Sequence, residues 1–398
     1  MKEAKHSFDG EFDGEEIWFS PDAGSLEDFI ATLPASTDPG DWPLAATIEQ
    51  NVLIYDGTAI RALDSANQRA LMSEWARAFL NGPGIVVIKR AFADLSVIDR
   101  ATEMFSAMIV EEKAIGAGGG DHFAKPGAND RVWNALQKHC EEDPEGFALY
   151  YGNICLALVS TAWLGPNYQV TAQVNRVNPG GAAQSPHRDY HLGFMSREDA
   201  ARYPVHAHRL SPALTLQGAV AHCDMPLESG PTLYLPYSQR YKPGYIAFGR
   251  PEFQAHFAEH HVQLPLEKGD AVFFNPALMH GAGHNVTADT YRMANLLQVS
   301  SAFGHPIETV DRAAMARALF GPLRDLLAAG RLRDVEGAAA VAACAEGYAY
   351  PTNLDRDPPV GGLAPLTQAE IMRKALTNGT SPDAFSQIMH LWEDRRKS

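Results

Sequence analysis

The side chains best suited to chemistry in this chain are His187 and Asp189, one residue apart, then His280, and Arg292 twelve residues beyond it. Two imidazoles and a carboxylate meeting at one point form a facial triad, which holds non-haem Fe(II) and leaves coordination positions open for oxygen chemistry. In a β-strand, side chains two apart share a face, so His187 and Asp189 can reach one ion while Arg188 points elsewhere. The second histidine closes the apolar run from Asp270 to Met279, which breaks at Asn275-Pro276 and delivers His280 just ahead of Gly281 and Gly283. Tyr291 to Ser300 reads as the adjoining strand. A guanidinium near its start is a good bidentate anchor for the far carboxylate of a metal-bound 2-oxo acid.

The chain has 15 histidines, so each other histidine pattern needs a reading. His284 competes with His280 as the distal ligand, but His280 lies nearer the strand. His191 shares a strand face with Asp189 and can line a pocket. His206-Ala-His208 follows a proline without a carboxylate to complete a site, and reads as a surface loop. His256, His260 and His261 mimic a zinc pair by helical spacing, and read as a solvated helix face.

Together these residues resemble the Fe(II)/2-oxoglutarate dioxygenases related to phytanoyl-CoA dioxygenase. The likeness rests on His187-x-Asp189, on His280-Gly-x-Gly-x-Asn-x(6)-Arg292, on Gln173 to Gly180, on Gln184 and on Glu228 to Pro236, and covers roughly residues 165 to 303. It implies Fe(II) on His187, Asp189 and His280, a 2-oxoglutarate salt bridge to Arg292, and secondary co-substrate contacts from Gln173 or Asn175. It also implies a reaction in which 2-oxoglutarate and O2 are consumed, succinate and CO2 are released, and a C–H bond is oxidised. Hydroxylation is the default outcome, and desaturation, ring closure and epimerisation share the same ligands. Relatives often carry serine where this chain has Ala282, and a histidine turn where it has Pro236-Tyr-Ser-Gln-Arg240. Retention of Asp189 excludes the halogenase variant, which needs a small residue there.

The elements that must position these groups read as a mainly β fold with flanking helices. Its centre is a double-stranded β-helix, a cupin-like jelly roll, with an N-terminal arm and C-terminal helices. Strands are expected near 169–177, 185–190, 213–222, 231–236, 261–266, 270–275 and 291–300. We divide the single integrated domain into an irregular arm (1–65), a mixed lead-in (66–164), a jelly-roll core (165–305) and a helical extension (306–398). In the lead-in, Ala66 to Leu80 and Asp94 to Glu111 read as helices around a strand at 84–89, and Glu141 to Leu164 as one long helix. The Gly-rich stretch 116–131 lacks the ending of a phosphate loop and reads either as an inert surface loop or as a lid over the site.

Composition and charge point to a cytoplasmic enzyme. No run approaches a membrane span, the start lacks the apolar core of a signal peptide, and the four cysteines form no regular framework. A net charge of −15 argues against nucleic acid or an anionic membrane as partner. The expected partner is a small-molecule substrate, with a homo-oligomer through the C-terminal helices as an option. Arg188, Tyr190, His191, Gln217 and Lys125 are the candidate substrate contacts, and their mixed charge favours a small polar metabolite. Two other classes stay open: a zinc hydrolase using the same His/Asp/His site, and a jelly-roll protein that binds metal or ligand without turnover.

Overall fold

In the computed structural model, residues 17–116, 127–349, 353–359 and 361–397 are described. Eleven strands run in chain order: β1 (Thr47–Glu49), β2 (Val52–Asp56), β3 (Ile85–Lys89), β4 (Asn129–Val132), β5 (Gln169–Val177), β6 (Thr215–Ala221), β7 (Leu233–Leu235), β8 (Val262–Gln263), β9 (Ala271–Phe274), β10 (Met279–Gly281) and β11 (Arg292–Ser300). Eight form one sheet in the order β1-β2-β3-β9-β6-β11-β5-β4, and three form a second, β10-β7-β8. Only β2 and β3 pair in parallel; the other strand pairs are antiparallel. The described residues also include fifteen α-helices, so the fold is a mixed sheet with helices rather than mainly β.

The large sheet is covered on both faces, and the strand sequences follow from that. On one face Leu53, Tyr55, Val86, Ile88, Phe273, Val220, Leu297 and Val174 join the core built by the helices, with Trp75, Phe79, Phe105 and Phe320 wholly buried among them. On the other, Val52, Ile54, Ile85, Val87, Val272 and Phe274 face Tyr234, Leu264 and Leu266. Strands β2, β3 and β9 are therefore continuous apolar runs, because each successive side chain enters one core or the other. Strand β11 instead alternates: Met293, Leu297 and Val299 join the helical core, while Arg292, Ala294, Leu296 and Gln298 line a cavity on the opposite face.

Several boundaries depart from expectation for local reasons. Residues 47–61 are not an irregular arm, since β1, β2 and the helix Gly57–Arg61 extend the large sheet at one edge. The segment read as one helix from 141 is three helices, Ala135–Glu142, Pro144–Tyr151 and Ile154–Leu164. Its breaks are capped: the Asp143 side chain accepts from Gly146 N, and that of Asn153 from Cys155 N and Leu156 N. The expected strand at 185–190 is reduced to one antiparallel bridge, His187 to His280. The helices at 65–80 and 96–114 lie within a few residues of their expected bounds, and the extension holds the helices Arg312–Ala328, Asp334–Cys344, Gln368–Thr377 and Pro382–Arg396. No single described helix is long and apolar enough to cross a membrane, and the one bent pair that passes by length and composition, Pro144–Tyr151 with Ile154–Leu164, lies largely in the helical core.

One buried histidine ties the helical layer to the end of β6, and a second packs within the helical core. His222 Nδ1 pairs with Thr102 Oγ1 at 2.9 Å and its Nε2 with Tyr150 OH at 3.0 Å. Asn295 on β11 donates to Tyr150 OH and Tyr151 OH, and His139 packs edge-on against Phe105, Phe147 and Tyr150. Burial pushes His139 down to about 4, and burial with His139 nearby pushes His222 down to about 3. Both are neutral when folded, so the unfolded chain binds more protons below its own pKa near 6.5. Their contribution is complete above that pH and is lost as pH falls toward 4. Urea unfolding at pH 7.5 and pH 5 should show a loss of about 2 kcal/mol per histidine, smaller in His139→Gln. An equal pH response in wild type and variant would refute this.

Candidate metal centre and cavity

The metal-binding constellation is assembled by a backbone exchange. His187 N donates to the His280 carbonyl at 2.9 Å and His280 N donates back to His187 at 3.0 Å, which places the two rings 4.5 Å apart. Asp189 is drawn to the same point because its N–H donates to the Pro276 carbonyl at 2.9 Å and its own carbonyl accepts from Tyr245 OH at 3.0 Å. His187 Nε2 lies 3.7 Å from Asp189 Oδ1, and His280 Nε2 lies 3.7 Å from Asp189 Oδ2. Among the described residues, these three are the group of histidine, cysteine and acidic side chains whose ligand atoms cluster, all within 4.8 Å of one another.

Each imidazole is oriented by a carbonyl on its far side. His187 Nδ1 is 2.9 Å from Ser185 O, and His280 Nδ1 is 2.8 Å from Leu278 O. A carbonyl can only accept, so Nδ1 carries the proton and Nε2 presents its lone pair toward the carboxylate. Burial, with His187 alongside, pushes His280 down to about 4, which keeps it neutral as metal ligation requires. The donor set and its orientation fit a divalent first-row metal with an open coordination face.

Arg292 enters the same cavity from the start of β11. It is 7% exposed and carries its charge with no carboxylate paired to it among the described residues; Nη1 donates to the Gly230 carbonyl. Burial pushes its pKa down to about 10, still well above neutrality. Gly230 can present that carbonyl because it adopts φ +72°, where a Cβ would meet the His284 backbone at 2.5 Å. Asn285 pins the intervening loop, donating to Val177 O at 3.3 Å and to Thr290 O at 2.8 Å. Gln184 Oε1 accepts from Ala282 N at 3.1 Å. His284 itself is exposed and lies outside the cluster.

The cavity has a volume of about 1290 Å³, above the ~300–1,000 Å³ usual for small-molecule sites. Gln173, Asn175, Tyr190, His191 and Gln217 line it as expected. Gln173 Oε1 accepts from Arg131 Nη1 at 2.8 Å, Asn175 Oδ1 from Asn129 Nδ2 at 2.8 Å, and Gln217 Nε2 donates to Asp189 Oδ2. His191 Nδ1 pairs with Thr215 Oγ1 at 3.0 Å. Lys125, with most of the Gly-rich stretch, lies outside the described residues.

Arg188 must be corrected. Its side chain is 4% exposed and turns away from the cavity to donate to Ser238 O and Tyr241 O, packed so closely on Gly244 that no Cβ would fit there. Alternation between His187 and Asp189, which face the cavity, sends the residue between them backwards. His208, expected in a surface loop, is 3% exposed in the short helix Val205–Leu210 and lies edge-on to Tyr190. The His256, His260 and His261 group does lie on a helix, Pro251–His260 and its cap, with no acidic partner completing a cluster.

Sequence reasoning missed Arg131 on β4 and Trp133 just beyond it, whose ring lies 4.9 Å from the Arg131 guanidinium, and Gln298 on β11. It also missed the loop His305–Ile307 and the apolar wall Ile85, Val87, Val272, Phe274, Leu264 and Leu266. The alternation of β11 was the available signal for Gln298. Nothing local marks β4 as a neighbour of β5.

A sheet-borne cavity with a two-histidine, one-carboxylate centre and a buried arginine beyond it defines the class of non-haem iron oxygenases that use a 2-oxo acid. The family model described as phytanoyl-CoA dioxygenase matches residues 66–294, more than half of the chain, and the protein belongs to that family. It is a 2-oxoglutarate-dependent non-haem iron dioxygenase, using Fe(II), 2-oxoglutarate and O2. No curated protein sequence matches it. Among solved structures, it is similar to the non-haem α-ketoglutarate-dependent epimerase SnoN from nogalamycin biosynthesis (19% identity, 60% of this chain and 82% of that one, TM-score 0.42). It is similar also to the carbocyclase SnoK from the same biosynthesis (19% identity, 65% and 92%, TM-score 0.40) and to EvdMO1 (18% identity, 58% and 50%, TM-score 0.39).

Arg188→Met should lower stability by about 1–3 kcal/mol, because it removes the buried, charge-assisted hydrogen bonds to the Ser238 and Tyr241 carbonyls. Urea unfolding measures this, and an unchanged midpoint would mean that the guanidinium contributes nothing there.

Proposed function

We propose that His187, Asp189 and His280 are the iron ligands, that Arg292 anchors the far carboxylate of 2-oxoglutarate, and that the enzyme hydroxylates a C–H bond of a small metabolite bearing polar groups. The observation that carries this reading is the buried Arg292 cation in the same cavity as the triad, with no carboxylate paired to it among the described residues. A desolvated guanidinium is costly without an anion, and a dicarboxylic co-substrate chelating the metal at one end would bring one to it. When bound, iron with 2-oxoglutarate and O2 supplies the oxidising power.

The chain's own residues bind, orient and shield. Leu278 O and Ser185 O hold the two imidazoles in the ligating tautomer, and Gln217 holds one oxygen of Asp189. Gln173 and Asn175 line the cavity with their amide oxygens engaged by Arg131 and Asn129, which fixes both side chains for secondary contacts to the co-substrate. Tyr190, His191 and Gln217 are proposed substrate contacts on the metal side. Apolar Ile85, Val87, Val272 and Phe274 keep water from the opposite wall and select which C–H bond approaches. The two facing sheets, with the triad at their junction, are read as a double-stranded β-helix.

Metal-free protein titrated anaerobically with Fe(II) and then 2-oxoglutarate should develop the visible metal-to-ligand charge-transfer band. His187→Ala, Asp189→Ala and His280→Ala should each lose it, Arg292→Ala should weaken 2-oxoglutarate binding at least tenfold while keeping iron, and His284→Ala should retain both. Fe(II) binding with no band in wild type would overturn the co-substrate assignment, and wild-type behaviour in all three ligand variants would overturn the ligands.

A further inference from the structure

One rung of the large sheet crosses the cavity beside the metal centre and divides into two halves of different chemistry. Across it Ile85 pairs with Phe274, Phe274 with Gln217 and Gln217 with Gln298, and all four side chains line the cavity. Ile85 and Phe274 are an apolar half. Gln217 and Gln298, directly opposed on β6 and β11, are a polar half, and such partners stand about 5 Å apart at Cβ.

The orientation of the Gln217 amide is set by chemistry. The side chain is 3% exposed, and its amide lies against Asp189 Oδ2. A carboxylate only accepts, so the nitrogen must face it and the carbonyl oxygen must point elsewhere. That oxygen is buried and accepts no hydrogen bond from the described residues, and the same holds for Gln298 Oε1. Buried acceptors left unmatched are costly, and a site built this way discriminates strongly in favour of a ligand that supplies the donors.

We infer that Gln217 and Gln298 form a specificity subsite for paired hydrogen-bond donors, hydroxyl or amino groups, carried on an otherwise apolar body that lies against Phe274 and Ile85. The subsite adjoins Asp189, so it holds the carbon next to those donors at the metal; this rests on the reading of Asp189 as an iron ligand. The substrate class is an amphiphilic alcohol or amine, neutral or cationic at that end, since a carboxylate there would face two carbonyl oxygens and Asp189. A cavity of about 1290 Å³ has room for such a body beside the co-substrate.

The test compares two probes with one carbon skeleton, cis-tetralin-2,3-diol and its dimethyl ether, bound anaerobically to protein loaded with Fe(II) and 2-oxoglutarate. Affinities come from calorimetry, with the charge-transfer band recorded in each sample. The diol should bind at least tenfold more tightly than the ether. Gln298→Leu should cut that preference to about twofold, and Gln298→Glu, which keeps acceptor oxygens, should retain it. Equal binding of the two probes, no binding of the diol, or a preference unchanged in Gln298→Leu would each overturn the subsite. Loss of the band in wild type would instead strike the cofactor reading, so the two failures are distinguishable.

Discussion

The reciprocal backbone hydrogen bonds between His187 and His280 are the constraint on which the site depends. They join a segment with almost no strand character of its own to the short strand β10, and so set the separation of the two imidazoles. Asp189 then follows from the pleat, since one residue further along the backbone turns away and the next returns. Arg188, the residue that turns away, becomes an internal brace donating to Ser238 and Tyr241 carbonyls. Two members of the candidate centre and the brace between them are consecutive side chains of one tripeptide, separated by alternation.

The rest of the fold keeps that bridge in place and gives it a cavity to face. Because the large sheet is buried on both sides, it can hold a helical core on one face while presenting Arg292, Gln217, Gln173 and Asn175 on the other. Four polar groups on the cavity face have a tether from a neighbouring strand or loop: Arg131 to Gln173, Asn129 to Asn175, Asp189 to Gln217, Gly230 to Arg292. Such tethers limit rotamer freedom before any ligand arrives, which is the form preorganisation takes in a sheet-borne site.

Much of this was legible in the residues. The reaction class was readable because His187-x-Asp189, a distal histidine and a following arginine are a rare combination of donor groups. The C-terminal helices, β5, β9 and β11 were readable because their patterns are long or strongly apolar. The strand at 185–190 was overestimated because it has only one ladder partner, which no local pattern reveals. The long helix from 141 was misread because Asp143 and Asn153 act as caps only once the chain turns there. Arg188 was placed in the pocket by proximity in sequence, although the alternation that put its neighbours on the metal already sent it elsewhere.

What the sequence by itself determined is the reaction class, because two histidines, an aspartate and an arginine carry their donor chemistry in their own side chains. The cavity wall was decided by the tertiary structure alone. It is made by cross-strand neighbours, Gln217 with Gln298 and Gln173 with Arg131, whose partners lie far apart in the chain. Side-chain type is a local property, whereas which acceptor lies buried and unmatched depends on register between strands, and register is set by the packing of the whole sheet.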